Sequence, residues 1–168
     1  WNAFTSHDLT TYYQTMPVDE IGLSLQIEAD RMVNSLFDPD EVDSERSVII
    51  SERQGAENHP MFLLSEEVRA VAFRVHPYHH EVIGDLVDLQ SITREELLAH
   101  YRTHYAPDNA IAVAVGDFDG EHMLAQLRER FDRLEPGPGV QPVRRTEPEQ
   151  KGERRVRVEG DGDTSYLL

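Results

Sequence analysis

The sequence predicts an α+β fold in which helices are layered on a sheet, and three observations carry that prediction. Phe4 to Met16 is rich in Thr, Tyr and Phe, residue types that suit a pleated, half-buried surface. Three successive runs of helical periodicity follow it. Further along, the apolar run Ala110 to Val115, half of it β-branched, lies between two later helical patterns.

The elements follow in order. Ser6-His7-Asp8 interrupts the aromatic stretch, which therefore reads as two short strands joined by a turn. Pro17 suits a first helical turn, where a missing N–H costs nothing, and Ile21, Leu25, Ala29, Met32, Val33 and Leu36 recur at spacings of three and four. That pattern predicts an amphipathic helix of about five turns. Asp38-Pro39-Asp40 restarts it, with Asp38 as a cap and Glu41 near the positive end of the helix dipole, so a second helix is expected from Pro39 to Ala56. Asn58-His59-Pro60 breaks that helix, and Met61, Leu64, Val68, Val71 and Ala72 form the stripe of a third, ending near Phe73.

Val75 to Leu89 has no sustained period and reads as a loop with one short turn. Thr93 with Glu96 three residues later is a capping-box arrangement, opening a helix that stops at Ala106-Pro107. Ala110 to Val115 reads as a strand covered on both faces, and Met123, Leu124, Leu127 and Phe131 as another helix. Glu135-Pro136-Gly137-Pro138-Gly139 opens a Pro- and Gly-rich linker. The expected organisation is one domain over residues 1–135, the linker over 136–152, and the start of further strands over 153–168.

Composition narrows the function. The 168 residues carry a formal net charge of −16, a field that repels phosphate backbones and anionic headgroups and makes nucleic acid and membrane surfaces poor partners. There is no Cys, which excludes disulfides, thiolate metal sites and Cys nucleophiles but leaves the compartment open. Apolar runs of about five residues are far too short to span a bilayer. The first residue is Trp1, so the chain is expected to begin inside something larger. A soluble protein is expected, cytoplasmic or periplasmic, with any targeting signal out of view.

Glu45 and Glu52 are seven apart on the second predicted helix, two turns, and so share a face beside Val42, Val48 and Ile49. A buried ionised carboxylate needs a cation or donors. Either the two glutamates fall at the wet edge of a core built on Val48-Ile49-Ile50, or they mark a metal-binding face; spacing alone does not decide. His100 and His104 are placed i,i+4 as zinc ligands can be, but no acidic residue lies between them, and solvated helix surface is the better reading. The His76 and His79-His80 cluster with Pro77-Tyr78 reads as a structural turn. Gly-rich phosphate loops and Gly-x-Ser-x-Gly elbows are absent.

Taken together, Asn2-Ala3-Phe4-Thr5-Ser6, Thr10-Thr11-Tyr12-Tyr13, Glu28-Ala29-Asp30-Arg31-Met32, Glu45 to Glu52, His76-Pro77-Tyr78 and Tyr105-Ala106-Pro107-Asp108-Asn109-Ala110 closely resemble the pitrilysin/insulinase family of zinc metallopeptidases. The order and gaps match over residues 1 to about 135. The resemblance implies part of a pitrilysin-type domain, a mostly antiparallel sheet with helices packed on one face. It implies Glu52 as the third zinc ligand, Glu45 as a supporting acidic residue, and Asn2, Ala3 and Phe4 as an edge strand that pairs with an extended peptide. The family's His-x-x-Glu-His motif, which supplies two imidazole ligands and the general base, is absent from these residues and is expected upstream of Trp1.

One glutamate does not hold a catalytic zinc, which takes three protein ligands and an open position. The resemblance therefore implies a fragment of a zinc-dependent endopeptidase that is inactive by itself. The alternative is a noncatalytic family member serving as a peptide-binding or structural partner subunit. Expected partners are a peptide or unfolded polypeptide substrate and a second pitrilysin-type domain or subunit. Self-association through an exposed sheet edge is expected as well.

Overall fold

Helices form where periodicity and proline punctuation coincide in the computed structural model, which describes residues 1–160 and 163–168. Strands β1 (Asn2–Thr5) and β2 (Thr10–Tyr13) pair as a hairpin whose turn is closed by Ser6 N–H donating to Leu9 O, 2.8 Å. After a 3₁₀ turn at Val18–Glu20 come α1 (Ile21–Asn34), α2 (Pro39–Glu57) and α3 (Pro60–Ala72), then a 3₁₀ turn at Pro77–His79 and the short α4 (Leu86–Ser91). The helix α5 (Arg94–His104), a 3₁₀ turn at Pro107–Asn109 and α6 (Gly120–Phe131) complete the order. About half of the chain is helical, so the fold is mixed, with a small antiparallel sheet.

The described residues form two compact units. The first comprises Trp1–Phe4, Thr10–Asp38 and Thr93–Pro142. Within it α1 packs on α6, and Ala29, Tyr101, Ala106 and Met123 are buried. Tyr101 Oη donates to Arg31 O at 2.6 Å and accepts from Ser35 N–H at 3.2 Å, which satisfies backbone groups where α1 ends. Arg94 reinforces the same exit by donating to the carbonyls of Phe37 and Leu36. The Thr93 hydroxyl accepts from Glu96 N–H, and the Glu96 carboxylate accepts from Thr93 N–H, so the expected capping box is formed. Those donors hold the Glu96 carboxyl below its usual value.

Gly137 makes a close approach in this unit. Its N–H donates to Asp108 Oδ1 at 2.8 Å, and a Cβ at this position would lie 2.8 Å from the Ala106 Cβ.

The second unit comprises the hairpin tip Thr5–Leu9, Pro39–Ile92 and Val143–Leu168. Here α2 packs on α3 and α4. Its buried residue is charged: Arg53, 6% exposed, meets Glu66 at 2.5 Å and Glu57 at 3.1 Å and donates to Gly84 O at 2.9 Å. Gly84 has φ +83°, a conformation glycine adopts without strain. Burial works against the Arg53 charge, but the hydrogen bond and field of Glu66, with the fields of Glu57 and Asp85, more than offset it and raise the pKa.

Several expectations change, among them the loop expected over Val75 to Leu89, where α4 already begins at Leu86. The first helix stops at Asn34 instead of reaching Leu36, because Ser35 adopts extended backbone and caps Arg31 O; Leu36 is left 82% exposed. Ala110 to Val115 forms no covered strand, and Ile111, Val113 and Val115 are 92%, 81% and 92% exposed. A buried strand needs a neighbouring strand, and among the described residues the only ladder is β1 with β2. For the same reason the sheet, expected to be a full layer, is confined to two strands. The strands expected over 153–168 cross residues 161 and 162, which lie outside the described residues; 153–160 and 163–168 carry no strand.

Candidate functional site

Glu52 projects from α2 at the rim of a cavity in the second unit. The cavity, about 560 Å³, is lined by Thr5, Ile49, Glu52, Phe62, Glu81, Val82, Ile83 and Leu89. Each wall has a local cause. Ile49 and Glu52 are three apart on α2 and face the same way. Phe62 comes from the first turn of α3, where Pro60 starts the helix, and its ring lies under the Arg53 guanidinium, 5.6 Å from the centroid. Thr5 is the last residue of β1.

The walls are mostly apolar and carry two carboxylates with different environments. Glu81 is largely buried and paired with Arg69 at 3.0 Å, so its charge is compensated. Glu52 is exposed and, among the described residues, makes no ion pair. A carboxylate so placed can take a cation or accept a hydrogen bond from an incoming N–H group. A second, shallow groove runs along α2 past Ser44, Ser47, Val48, Ser51 and Glu52. Its hydroxyls serve the helix itself: Ser47 Oγ donates to Asp43 O at 3.1 Å and Ser51 Oγ to Ser47 O at 2.8 Å.

Glu45 is exposed two turns earlier on α2 and lines neither space. Asn2, Ala3 and Phe4 lie in the first unit as part of β1; Ala3 is half-buried, while Asn2 and Phe4 are exposed. The Asn2 side chain accepts from Ala3 N–H at 2.8 Å, and the Phe4 ring packs 6.5 Å from that of Tyr13. Val48 is exposed while Ile49 and Ile50 are half-buried, so the apolar stripe of α2 is only partly covered.

The residues present do not fit a zinc ion on their own. Among the described residues no group of three or more His, Asp or Glu is placed to hold a metal, and a single carboxylate falls short of a catalytic zinc's three ligands. The His100 and His104 rings stack 4.3 Å apart without a third ligand group. The His76 cluster is a turn: His76 Nδ1 accepts from Tyr78 N–H, and His79 Nδ1 bonds to His76 O at 2.8 Å.

Sequence reasoning missed Arg53 and Glu81. The sequence signal for Arg53 was no more than its place beside Glu52; its contacts with Phe62 and Glu66 emerge only from the structure.

The model of the insulinase family, peptidase family M16, matches residues 1–86, and that of the peptidase M16 inactive domain matches residues 91–168. The chain belongs to the insulinase family.

It is 31% identical over 137 residues to a probable mitochondrial-processing peptidase subunit beta of Arabidopsis thaliana, covering 82% of this chain and 26% of that protein. It is 30% identical over 169 residues to the zinc protease PqqE of Helicobacter pylori, covering 96% of this chain and 37% of the other. The crystal structure of a protease from Helicobacter pylori superposes with a TM-score of 0.78 at 28% identity, over 88% of this chain and 35% of that one. The first half of the periplasmic protease PqqL from Escherichia coli gives 0.72 at 26% identity, over 88% and 32%. The chain thus spans about a quarter to a third of the length of these curated relatives. Among the described residues no helix is long and apolar enough to cross a membrane.

Proposed function

We propose that this chain is part of a zinc-dependent endopeptidase. In that protein Glu52 is a metal ligand, Glu45 supports it, and Asn2, Ala3 and Phe4 hold an extended peptide by strand addition. The remaining ligands and the general base come from residues outside this chain, which alone turns over no substrate. Residues 1–135 form the body of a pitrilysin-type domain whose sheet is completed by further strands; 136–152 is a linker, and 153–168 begins the next strands. A second such domain or subunit completes the site, a reading supported by relatives named as processing-peptidase subunits.

The observation that carries this proposal is that Glu52 rims an apolar cavity which Thr5, the end of β1, also lines. The test is metal content and peptide hydrolysis in the complete protein. Glu52→Gln should lower zinc affinity by more than the roughly 10–100-fold cost of losing a supporting partner, and Glu45→Gln should fall within that range. Unchanged zinc and turnover in Glu52→Gln would refute the assignment.

The second reading is a noncatalytic partner subunit that binds peptide with the same hairpin. It is favoured by the match of residues 91–168 to the M16 inactive domain. A complete protein that binds peptide but neither holds zinc nor hydrolyses would establish it.

A further inference from the structure

The linker is not idle in the second unit. The Glu147 carboxylate is seated on three consecutive backbone amides: Arg74 N–H donates to Oε1 at 2.8 Å, and Val75 and His76 N–H donate to Oε2 at 3.0 and 3.1 Å. Successive N–H groups of this kind form an anion-binding nest. These donors, that of Val75 foremost and Arg74 next, hold the Glu147 carboxyl below its usual value. Seven residues on, Arg154 donates to the carbonyls of Val71 and Ala72 at 2.5 and 2.6 Å. Those are the last carbonyls of α3, which the helix cannot satisfy itself. An anion thus meets amides and a cation meets carbonyls at one helix exit, both from a segment more than seventy residues away in sequence.

The clamped loop leads directly to the hairpin tip. Tyr78 Oη donates to the Asp8 carboxylate, the Tyr78 ring packs 4.9 Å from that of His7, and His7 Nε2 bonds to His80 O at 3.1 Å. The same loop continues into Glu81, Val82 and Ile83, which line the cavity with Thr5.

We propose that Glu147 is a positioning residue: with Arg154 it latches the linker onto the exit of α3, and through Tyr78, Asp8 and His7 it fixes the hairpin tip at the end of the peptide-binding strand. The peptide-binding part rests on the function proposed above; the latch itself does not. Detachment of the linker loosens the tip and weakens peptide binding, leaving the bond-breaking step intact.

The test is amide hydrogen exchange of the full-length protein. In Glu147→Gln, exchange at Arg74–His76 and at Ser6–Leu9 should rise by about tenfold or more while α2 is unchanged. Arg154→Gln should reproduce the pattern more weakly. In Glu147→Ala, free acetate should restore protection relative to chloride at the same ionic strength. For peptide hydrolysis, Glu147→Gln should raise KM with kcat and zinc content unchanged.

Exchange unaltered at Arg74–His76, or altered there and not at Ser6–Leu9, overturns the proposal, as does a fall in kcat at constant KM. A wild-type protein without peptidase activity would overturn the function proposed above, and hydrogen exchange would still decide the latch.

Discussion

The first unit buries Ala29, Tyr101, Ala106 and Met123, whereas the buried residue of the second is Arg53. Apolar burial is nondirectional, so the first interior tolerates swaps that conserve volume. A buried guanidinium depends on the geometry of its partners, and losing it leaves two carboxylates facing each other. The unit that carries the candidate metal ligand is therefore the less forgiving one. Glu52 inherits that sensitivity because Arg53 is its immediate neighbour on α2.

Three measurements break or sharpen this contrast. The largest effect is expected for Arg53→Ala, which should lower unfolding stability in urea by about 3 kcal/mol, the low end for breaking a buried ion pair, because Glu57 and Glu66 reach water in part. A loss below that of an ordinary surface substitution would erase the contrast. In the first unit, Tyr101→Phe keeps the ring against Phe37, 5.1 Å away, and removes the two backbone contacts of its hydroxyl. It should cost about 2 kcal/mol, the desolvation of the Ser35 N–H left unpaired, while Arg31 O keeps the Ser35 hydroxyl as a donor, again by urea unfolding.

The smallest effect is at the surface of the first unit. Thr93→Ala should cost about 1 kcal/mol by removing the α5 cap. It should also blunt the acid response. The folded Glu96 carboxyl lies below its usual 4.5, so its contribution is fully present above that value and lost as the pH falls through the lower folded one. Thermal unfolding of both proteins between neutral and acidic pH checks the sign.

Much of the fold was legible because its signals are local. Pro39 and Pro60 begin α2 and α3, Thr93 and Glu96 form the box that opens α5, and the aromatic stretch is the hairpin. The run Ala110 to Val115 shows the limit: β-branched composition predicts strand preference but not whether a partner strand exists. Of the candidate site, Glu52 was singled out through family resemblance more than spacing, and it lines the cavity. Arg53 was hidden because a charged residue on a helix is usually solvated. Glu147 and Arg154 were hidden because their partners are separated from them by 71 to 83 residues.

Gly137 has a practical consequence. Composition alone would mark 136–152 as a freely substitutable spacer, yet its second residue has no room for even a methyl group beside Ala106. Gly139, with φ +83° and nothing within 4 Å of a built Cβ, has space but is conformationally demanding. Affinity tags, fluorophores or protease-cleavage sites engineered into the spacer therefore belong between Val140 and Thr146, ahead of Glu147 and clear of both glycines.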